Sequence, residues 1–287
     1  MILVLGATGG IGGEVCRQLK KAGTSFRAMA RKQEQVDSFR KDGVDAVLGD
    51  LDQPETLSAA MSGIDTLFLV TAPKPPQVAQ ETAAIDAATR AGVSRIVKIS
   101  ASDCNVRSKI PWAKAHALID HHLRASGVDW TILMPTAFMQ NFLWFTKPVA
   151  KGYLPLGAGK GSVSWIDTRD IARVSATVLT QDGHSRATYF LTGPETFDMA
   201  EAAVQLSQMT GRKVRYLDLP VPVFHTVLRL AGNSRWMAKG LIAQFSDMVA
   251  GHHDIDPTGE VERLTGQPPR DFASFLRDHR DAFVKAA

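Results

Sequence analysis

The sequence predicts an α/β protein with a doubly wound parallel sheet, and three features of its first 135 residues lead to this expectation. Short runs rich in β-branched residues alternate with longer stretches of helical periodicity. The short runs are too apolar to be half exposed, as is typical of parallel strands that helices cover on both faces. Five helical stretches are followed by a residue type that suits a left-handed helix end, namely Gly23, Gly43, Gly63, Gly92 and Gly127.

Six buried strands with helices between them are expected in this first part of the chain. The predicted strands are Ile2–Leu5, Ser25–Ala30, Ala46–Leu48, Thr66–Thr71, Arg95–Ser100 and Trp130–Met134. The predicted helices are Ile11–Ala22, Val36–Lys41, Pro54–Met61, Gln77–Ala91 and Ala113–Ala125. This order of elements is typical of a doubly wound α/β sheet.

The alternation becomes less regular after Pro135. Residues 152–161 contain four glycines and one proline, which indicates a turn-rich stretch. The elements expected next are a strand at Val163–Ile166, a helix at Asp170–Leu179, a strand at Thr188–Leu191, a helix at Met199–Met209, a strand at Val214–Leu217 and mostly helix from Val221 onward. We therefore expect a sheet domain over residues 1–150 and a smaller mixed α/β, mostly helical lobe over residues 151–287, interleaved with the sheet.

Composition and charge exclude several classes of protein. The chain has 287 residues, of which 45% are hydrophobic and 22% charged, as in an ordinary globular protein. Its net charge is only +4 and its basic residues are scattered, which argues against a nucleic-acid partner. No uncharged apolar stretch reaches the roughly 18–20 residues of a membrane helix, and the first residues lack a signal-peptide pattern. No membrane partner is expected.

Cysteine and histidine spacing argues against a metal site and for a reducing compartment. The two cysteines, Cys16 and Cys104, lie far apart, and none of the eight histidines has zinc-type spacing. A cytoplasmic location is therefore expected. Cys104 follows the fifth predicted strand, where an inert thiol is a better expectation than a reactive one.

A glycine-rich loop joins the first predicted strand to the first helix, with the sequence Gly6-Ala7-Thr8-Gly9-Gly10-Ile11-Gly12. Gly6 suits a tight turn, Gly9 lets the backbone approach a pyrophosphate, and Gly12 lets the helix pack closely on the strand. In the first βαβ unit this arrangement indicates a Rossmann-type dinucleotide site rather than a merely tight turn. The cofactor contacts predicted in the loop are Gly6, Thr8, Gly9, Gly10 and Ile11.

The end of the second strand distinguishes NADP from NAD. Because that strand ends in Arg31-Lys32 rather than an acid, the 2′-phosphate of NADP(H) is favoured. NAD(H) stays open, since Arg31 could instead stack on the adenine. Asp52 is expected to cap the helix that starts at Pro54. Further cofactor contacts are predicted at the ends of later strands, at Asp50, Leu51, Thr71, Ser100, Pro135 and Phe138.

Several segments together resemble the NmrA-like family, an atypical branch of the short-chain dehydrogenases. They are G-A-T-G-G-I-G, G-D-L-D-Q-P-E-T-L, A-S-G-V-D-W-T-I-L-M-P-T-A-F-M-Q-N-F, S-W-I-D-T-R-D-I-A, Y-F-L-T-G-P-E-T and T-G-Q-P-P-R-D-F. The resemblance covers almost the whole chain and is strongest to bacterial NAD(P)H-dependent reductases of azo dyes, triphenylmethane dyes and quinones. It implies an NADP-binding Rossmann domain and a substrate cleft between that domain and a smaller lobe.

The catalytic Tyr-x-x-x-Lys pair of ordinary short-chain dehydrogenases is missing, because none of the three tyrosines has a lysine four residues on. Many family members instead carry a lysine at the head of the helix before A-S-G-V-D-W-T. His116 stands at that position here, with Lys114 two residues earlier. An imidazole, with an ordinary pKa of about 6.5, can act as a general acid at neutral pH, so His116 is the catalytic candidate. A contact to cofactor or substrate and a purely structural role remain alternatives.

An electron-poor acceptor reduces the need for an acid, because hydride transfer can lead and a proton can follow from water. Aromatic residues crowd the segment after the sixth strand, where α/β sheets bind ligands. The substrate contacts predicted there are Phe138, Met139, Phe142 and Trp144, and plain core packing is the alternative for each. Gln140 and Asn141 are expected to anchor this segment, and Asp170 to be structural.

Two functions follow from these observations. The favoured one is an NADPH-dependent reductase of a planar, electron-poor acceptor such as a quinone or an azo or triphenylmethane dye. The alternative is a non-catalytic NADP(H)-binding redox sensor that regulates a partner, like the regulatory members of the family. The expected partner of the reductase is a small-molecule acceptor, and the expected assembly is a monomer or homodimer.

Overall fold

The computed structural model describes residues 1–249, 251 and 256–284, which divide into two compact units. Unit 1 consists of Met1–Val106, Trp112–Met134 and Arg169–Phe190. Unit 2 consists of Arg107–Pro111, Pro135–Thr168 and the described residues from Leu191 onward. The assignment of cofactor binding to residues 1–150 and substrate binding to residues 151–287 stays a prediction.

Nine strands occur in the described ranges: β1 (Ile2–Val4), β2 (Phe26–Ala30), β3 (Asp45–Leu48), β4 (Thr66–Leu69), β5 (Arg95–Ile99), β6 (Asp129–Pro135), β7 (Tyr153–Leu156), β8 (Ala187–Leu191) and β9 (Arg215–Asp218). Seven form one sheet in the order β3-β2-β1-β4-β5-β6-β8. Its first six strands pair in parallel, with Ile2 opposite both Phe26 and Thr66. This arrangement confirms the predicted Rossmann-type doubly wound sheet.

Helices lie between the strands: α1 (Gly10–Lys21), α2 (Gln33–Lys41), α3 (Leu57–Met61), α4 (Gln77–Arg90), α5 (Pro111–Ala125), α6 (Thr146–Ala150), α7 (Thr168–Thr180), α8 (Met199–Thr210), α9 (Val221–Leu230), α10 (Arg235–Val249), α11 (Glu260–Thr265), α12 (Phe272–Asp278) and α13 (Arg280–Val284). Two 3-10 helices span Pro54–Thr56 and Met139–Phe145. The five glycines predicted at helix ends all have positive φ angles. None of the helices described is both long and apolar enough to cross a membrane.

The core of unit 1 forms where apolar strand residues meet the apolar faces of helices. Leu67 on β4, Ile96 on β5 and Ile119 on α5 belong to one buried cluster and have no exposed surface. Strands β4 and β5 are neighbours in the sheet. Polar side chains that leave the carboxyl ends of these strands are therefore held by a rigid, buried frame.

Unit 2 is mixed and mostly helical, as predicted. Strands β7 and β9 form a two-stranded parallel sheet in which Tyr153 lies opposite Arg215. A cluster of aromatic rings fills the core, with the Phe142 ring 5.0 Å from the Trp165 ring and 4.6 Å from the Phe272 ring, measured between centroids. Capping of α8 by Asp198 and Glu201 shows why that helix begins where the sequence indicates.

One expectation for residues 150–170 is wrong. The predicted strand Val163–Ile166 forms only isolated bridges, because Val163 N–H donates to the Phe197 carbonyl whereas Ile166 N–H donates to the Ala137 carbonyl. Two different partner segments cannot extend one ladder. The turn-rich stretch at residues 152–161 also contains β7, which the sequence did not predict and whose partner β9 lies about 60 residues later in the chain.

Candidate functional site

Gly6 and Gly12 bring β1 and α1 into close contact. Gly6 has a φ of +69°, and a Cβ atom there would also overlap the carbonyl of Val70. A Cβ atom on Gly12 would overlap the carbonyl of Gly6. Both positions therefore require glycine for structural reasons, which agrees with the turn and packing roles that the spacing predicts.

The amino end of α1 is open to solvent. Its N-cap is Gly9, no side chain caps it, and no acidic residue lies in its first turn. Thr8, Gly9 and Gly10 are exposed, whereas Ile11 is buried. A Cβ atom on Gly10 would meet no atom within 4 Å. The positive end of the helix dipole thus faces open space. The Gly9 N–H donates to the Gly6 carbonyl at 2.9 Å, and the amides of the first helical turn after it fit the pyrophosphate of a dinucleotide.

Cationic and acidic side chains flank the ends of β2 and β3. Arg31 is exposed directly after β2. The pKa of Asp52 is lowered, first by a hydrogen bond from Gln80, then by Lys74, with a smaller contribution from the Arg31 charge. An exposed guanidinium at this position fits a 2′-phosphate, the group that the Arg31-Lys32 pair predicts.

The expected capping role of Asp52 is wrong. The 3-10 helix at Pro54–Thr56 has Gln53 as its N-cap, without a side-chain cap. The Asp52 carboxylate instead binds Gln80 and Lys74, the latter at 3.3 Å. Asp50, a predicted cofactor contact, is half buried and its Oδ1 accepts from the Asp52 N–H at 3.1 Å. The adjacent Leu51 is also half buried.

A buried polar cluster lies beyond the carboxyl ends of β4 and β5. Its centre is Lys98, a fully buried lysine on β5. The Lys98 Nζ atom lies 3.0 Å from Asp120 Oδ1 on α5 and 3.6 Å from Glu81 Oε2 on α4. The two predicted cofactor contacts in this region join the cluster: Thr71 donates to Glu81 at 2.5 Å, and Ser100 donates to Asp120 at 2.6 Å.

His116 projects from α5 into the same cluster. Its Nδ1 atom lies 3.0 Å from Lys98 Nζ, and its Nε2 atom lies 3.4 Å from the Gln77 side-chain nitrogen. Burial, together with the nearby Lys98 charge, holds the pKa of His116 well below the ordinary value for histidine. The ring is therefore neutral at neutral pH, although part of it is exposed. The catalytic role of His116 stays a prediction.

Sequence reasoning missed Lys98, Glu81 and Asp120. Lys98 could have been noticed as a charged residue within an apolar strand, Arg95–Ile99, because such a lysine must find buried partners. Cys104 lies at the edge of the cluster, with its sulfur 3.8 Å from Asp120 Oδ2. Burial, together with the Asp120 charge, raises the pKa of Cys104 to about 11, which agrees with an inert thiol.

Unit 2 contains an apolar pocket that is partly open to solvent. Six aromatic rings line it: Phe142, Trp144, Phe145, Trp165, Phe224 and Phe245. Of the predicted substrate contacts, Phe142 is almost fully buried at its wall and Trp144 is 66% exposed. Met139 is fully buried, and Phe138 is half buried with its backbone bridged to Ile166. Pro135 ends β6.

Polar residues fix the segment that carries these rings. Gln140 donates to Asp167 at 2.8 Å and accepts from the Thr168 N–H at 3.0 Å, so it has the anchoring role expected of it. Asn141 lines the pocket. Asp170 in the first turn of α7 is fully buried and pairs with Arg173 at 2.9 Å, as suits a structural residue.

Comparison with known proteins shows likeness along the whole chain. The model of the NmrA-like family matches residues 1–276. An NAD(P)H azoreductase from Xenophilus azovorans is 37% identical, with all of both chains covered. Quinone oxidoreductase 2 from Escherichia coli is 26% identical over 93% of this chain and 94% of its own. The solved triphenylmethane reductase of Citrobacter, complexed with NADP(H), has a TM-score of 0.86 at 25% identity and covers 100% of this chain and 99% of its own.

Proposed function

This chain belongs to the NmrA-like family, and from that premise we propose that it is an NADPH-dependent oxidoreductase. It transfers a hydride to a planar, electron-poor acceptor, such as a quinone or an azo or triphenylmethane dye. Relatives named for each of these three acceptors support the substrate class. The observation that carries the proposal is the uncapped glycine loop at the start of α1, because it provides the anion site that a dinucleotide needs.

The cofactor is held by backbone and by one cation. The amides of Gly10 and Ile11 receive the pyrophosphate at the amino end of α1, and Gly9, whose N–H donates to the Gly6 carbonyl at 2.9 Å, leaves room for its approach. Arg31, exposed at the end of β2, binds the 2′-phosphate that distinguishes NADPH from NADH. When bound, the nicotinamide supplies the hydride. The remaining predicted contacts, at Asp50, Leu51, Thr71, Ser100, Pro135 and Phe138, belong to the same proposal.

The acceptor is held by the aromatic pocket of unit 2. Flat, mostly apolar walls suit a planar conjugated ring better than a sugar or a charged metabolite. Trp144 is exposed enough to stack on such a ring, whereas Phe142 shapes the wall from within the core. Met139 stays a predicted contact. These residues exclude water and orient the acceptor, which is the main demand of hydride transfer to an electron-poor substrate.

We propose a cytoplasmic location and a small-molecule substrate for this reductase. Cys16 and Cys104 are free thiols, which suits a reducing compartment. The prediction that the protein is a monomer or a homodimer is unchanged.

Turnover tests the proposal directly. The purified chain is mixed with NADPH and with a quinone, an azo dye or a cationic triphenylmethane dye, and cofactor absorbance is followed. We expect NADPH to be consumed above background with at least one acceptor class, and faster than NADH. Absence of turnover with all three, combined with unequal affinities for NADP+ and NADPH, would refute the reductase and favour the redox sensor.

A further inference from the structure

The buried Lys98 cluster contains one ammonium, two carboxylates and an imidazole, and its hydrogen bonds restrict where protons can lie. A lysine ammonium has three donors and no acceptor. Lys98 Nζ donates to the Ile99 carbonyl at 3.1 Å and lies 3.0 Å from His116 Nδ1. Asp120 Oδ1, at 3.0 Å, is an ion-pair partner that accepts no hydrogen bond from it. Glu81 Oε2, at 3.6 Å, is an ion-pair partner beyond hydrogen-bond range. Two Lys98 protons therefore have acceptors, at the Ile99 carbonyl and His116 Nδ1, and the two carboxylates balance the charge of the ammonium.

The hydrogen bond between Lys98 and His116 determines the tautomer of His116. Because Nδ1 accepts from Lys98, a neutral ring must carry its proton on Nε2. The reverse arrangement, with Nδ1–H donating to a neutral amine, would leave the Glu81 and Asp120 carboxylates buried without a cation.

Gln77 offers no acceptor to the Nε2–H side of the ring. Its side-chain nitrogen lies 3.4 Å from His116 Nε2, but an amide nitrogen is a donor, and this one donates to Glu81 Oε1 at 3.0 Å. His116 is also partly exposed, whereas Lys98, Glu81 and Asp120 are fully buried. A ligand oxygen or nitrogen at ordinary bonding distance would supply the acceptor for Nε2–H that the Gln77 nitrogen cannot be.

We propose that Lys98 is a positioning residue that donates to His116 Nδ1 and thereby makes Nε2–H the proton donor for the reduced acceptor. The proposal rests on the reductase function proposed above. A quinone or azo bond takes a hydride and one proton. Nε2–H gives that proton to the acceptor oxygen or nitrogen, and Nδ1 takes a proton from Lys98 Nζ. After the product leaves, Nε2 takes a proton from solvent and Nδ1–H returns its proton to Lys98, which restores the ammonium and the Nε2–H tautomer. A cationic triphenylmethane dye takes only the hydride, because hydride alone neutralises its central carbon.

The first test reads the tautomer without any turnover. Nitrogen-15 NMR of the full chain at pH 7 reports which ring nitrogen carries the proton, and the His116 signals are those lost in His116→Gln. His121→Gln, an exposed histidine on the same helix, is the matched control for assignment. We expect a neutral ring protonated on Nε2. A ring protonated on Nδ1, or on both nitrogens, would overturn the proposal.

The second test removes the donor. The charged and titratable groups around His116 are Lys98 on β5, Glu81 on α4, Asp120 on α5 and Cys104 after β5. Lys98→Met leaves two carboxylates without their cation, so the His116 pKa should rise and the ring should take up a proton nearer neutral pH. Lys98→Arg, which keeps a charged donor, should restore the wild-type titration. An unchanged titration in a folded Lys98→Met variant would contradict the role of Lys98.

A comparison of kcat between the two classes of acceptor distinguishes a failure of this inference from a failure of the proposed function. In Lys98→Met, kcat for the quinone or azo dye should fall at least about 10-fold more than kcat for the cationic dye, since only the former needs a proton. Equal losses in a folded variant would overturn the positioning role. If no acceptor is reduced by the wild type but NMR finds the Nε2–H tautomer, the reductase function fails while the Lys98 assignment stands. If the variant does not fold, the wild-type NMR result decides.

Discussion

Single glycine-to-alanine substitutions in the glycine loop can distinguish a position needed for ligand binding from a position needed for folding. Gly9 has φ −91° and ψ 174°, angles that alanine adopts without strain. A Cβ atom there would lie 3.3 Å from the Gly6 carbonyl oxygen, so the neighbouring backbone needs to shift only slightly. We expect Gly9→Ala to fold normally and to bind NADPH poorly, because its methyl group stands where the pyrophosphate approaches the amino end of α1.

The size of the effect follows from the hydrogen bonds at stake. Losing one charge-assisted bond between a backbone amide and a phosphate costs about 1.5–3 kcal/mol. A change of this size raises Kd roughly 10- to 150-fold. The assay is titration of the full chain with NADPH, followed by fluorescence or calorimetry, together with thermal unfolding of the protein without ligand.

Gly12→Ala is the structural counterpart in the same loop. Its Cβ atom would overlap the backbone of Gly6, so strand and helix must move apart. Overpacking of this kind costs about 1–3 kcal/mol, and each kcal/mol lowers Tm by about 2–4 °C in a chain of this size. The reasoning is refuted if Gly9→Ala keeps wild-type NADPH affinity, or if Gly12→Ala leaves Tm unchanged.

Three further predictions address specificity, the pocket and thiol chemistry. Arg31→Ser should raise the Kd for NADPH about 10- to 100-fold and leave that for NADH nearly unchanged, and equal losses in a titration with both would contradict the 2′-phosphate role. Trp144→Ala, at a 66% exposed ring, should leave Tm within a few degrees but raise KM for a planar dye about 2- to 12-fold, whereas Phe142→Ala should cost about 3–5 kcal/mol of unfolding free energy in denaturant titrations. With its pKa raised to about 11, Cys104 should react with iodoacetamide at pH 8 roughly 200-fold more slowly than a free cysteine, and rapid labelling seen by mass spectrometry would exclude an inert thiol.

The sheet of unit 1 could be predicted because its signals are local. A buried parallel strand is apolar along its whole length, and the helix that follows ends at a glycine, so each element shows its own boundary. The two-stranded sheet of unit 2 lacks such signals. Tyr153–Leu156 is short, glycine-flanked and paired with Arg215–Asp218, and local sequence does not reveal a partner so far along the chain. Val163–Ile166 shows the same limit. It has the composition of a strand, but its local sequence does not reveal that its two ends meet different segments and that it forms no ladder.

The part of the candidate site that depends on backbone geometry alone could be predicted from the sequence. The glycine spacing at Gly6–Gly12 predicts a tight turn, a close approach of the strand and the helix, and an open helix end, and the structure has all three. Asp52 shows the limit of such reasoning. Its position before Pro54 suits a cap, yet Gln80 and Lys74, brought close by the tertiary fold, compete for its carboxylate.

Lys98 shows what a physical anomaly in the sequence can reveal. Strand β5 lies inside the sheet between β4 and β6, so a lysine on it needs anionic partners from the covering helices. Those helices carry polar pairs spaced by four residues, Gln77 with Glu81 and His116 with Asp120, and this spacing places both members of a pair on one helix face. The charge on Lys98 therefore explains why both pairs face the sheet. His116 differs from the lysine expected at its position in related chains, and it lies beside a buried cation contributed by the strand instead.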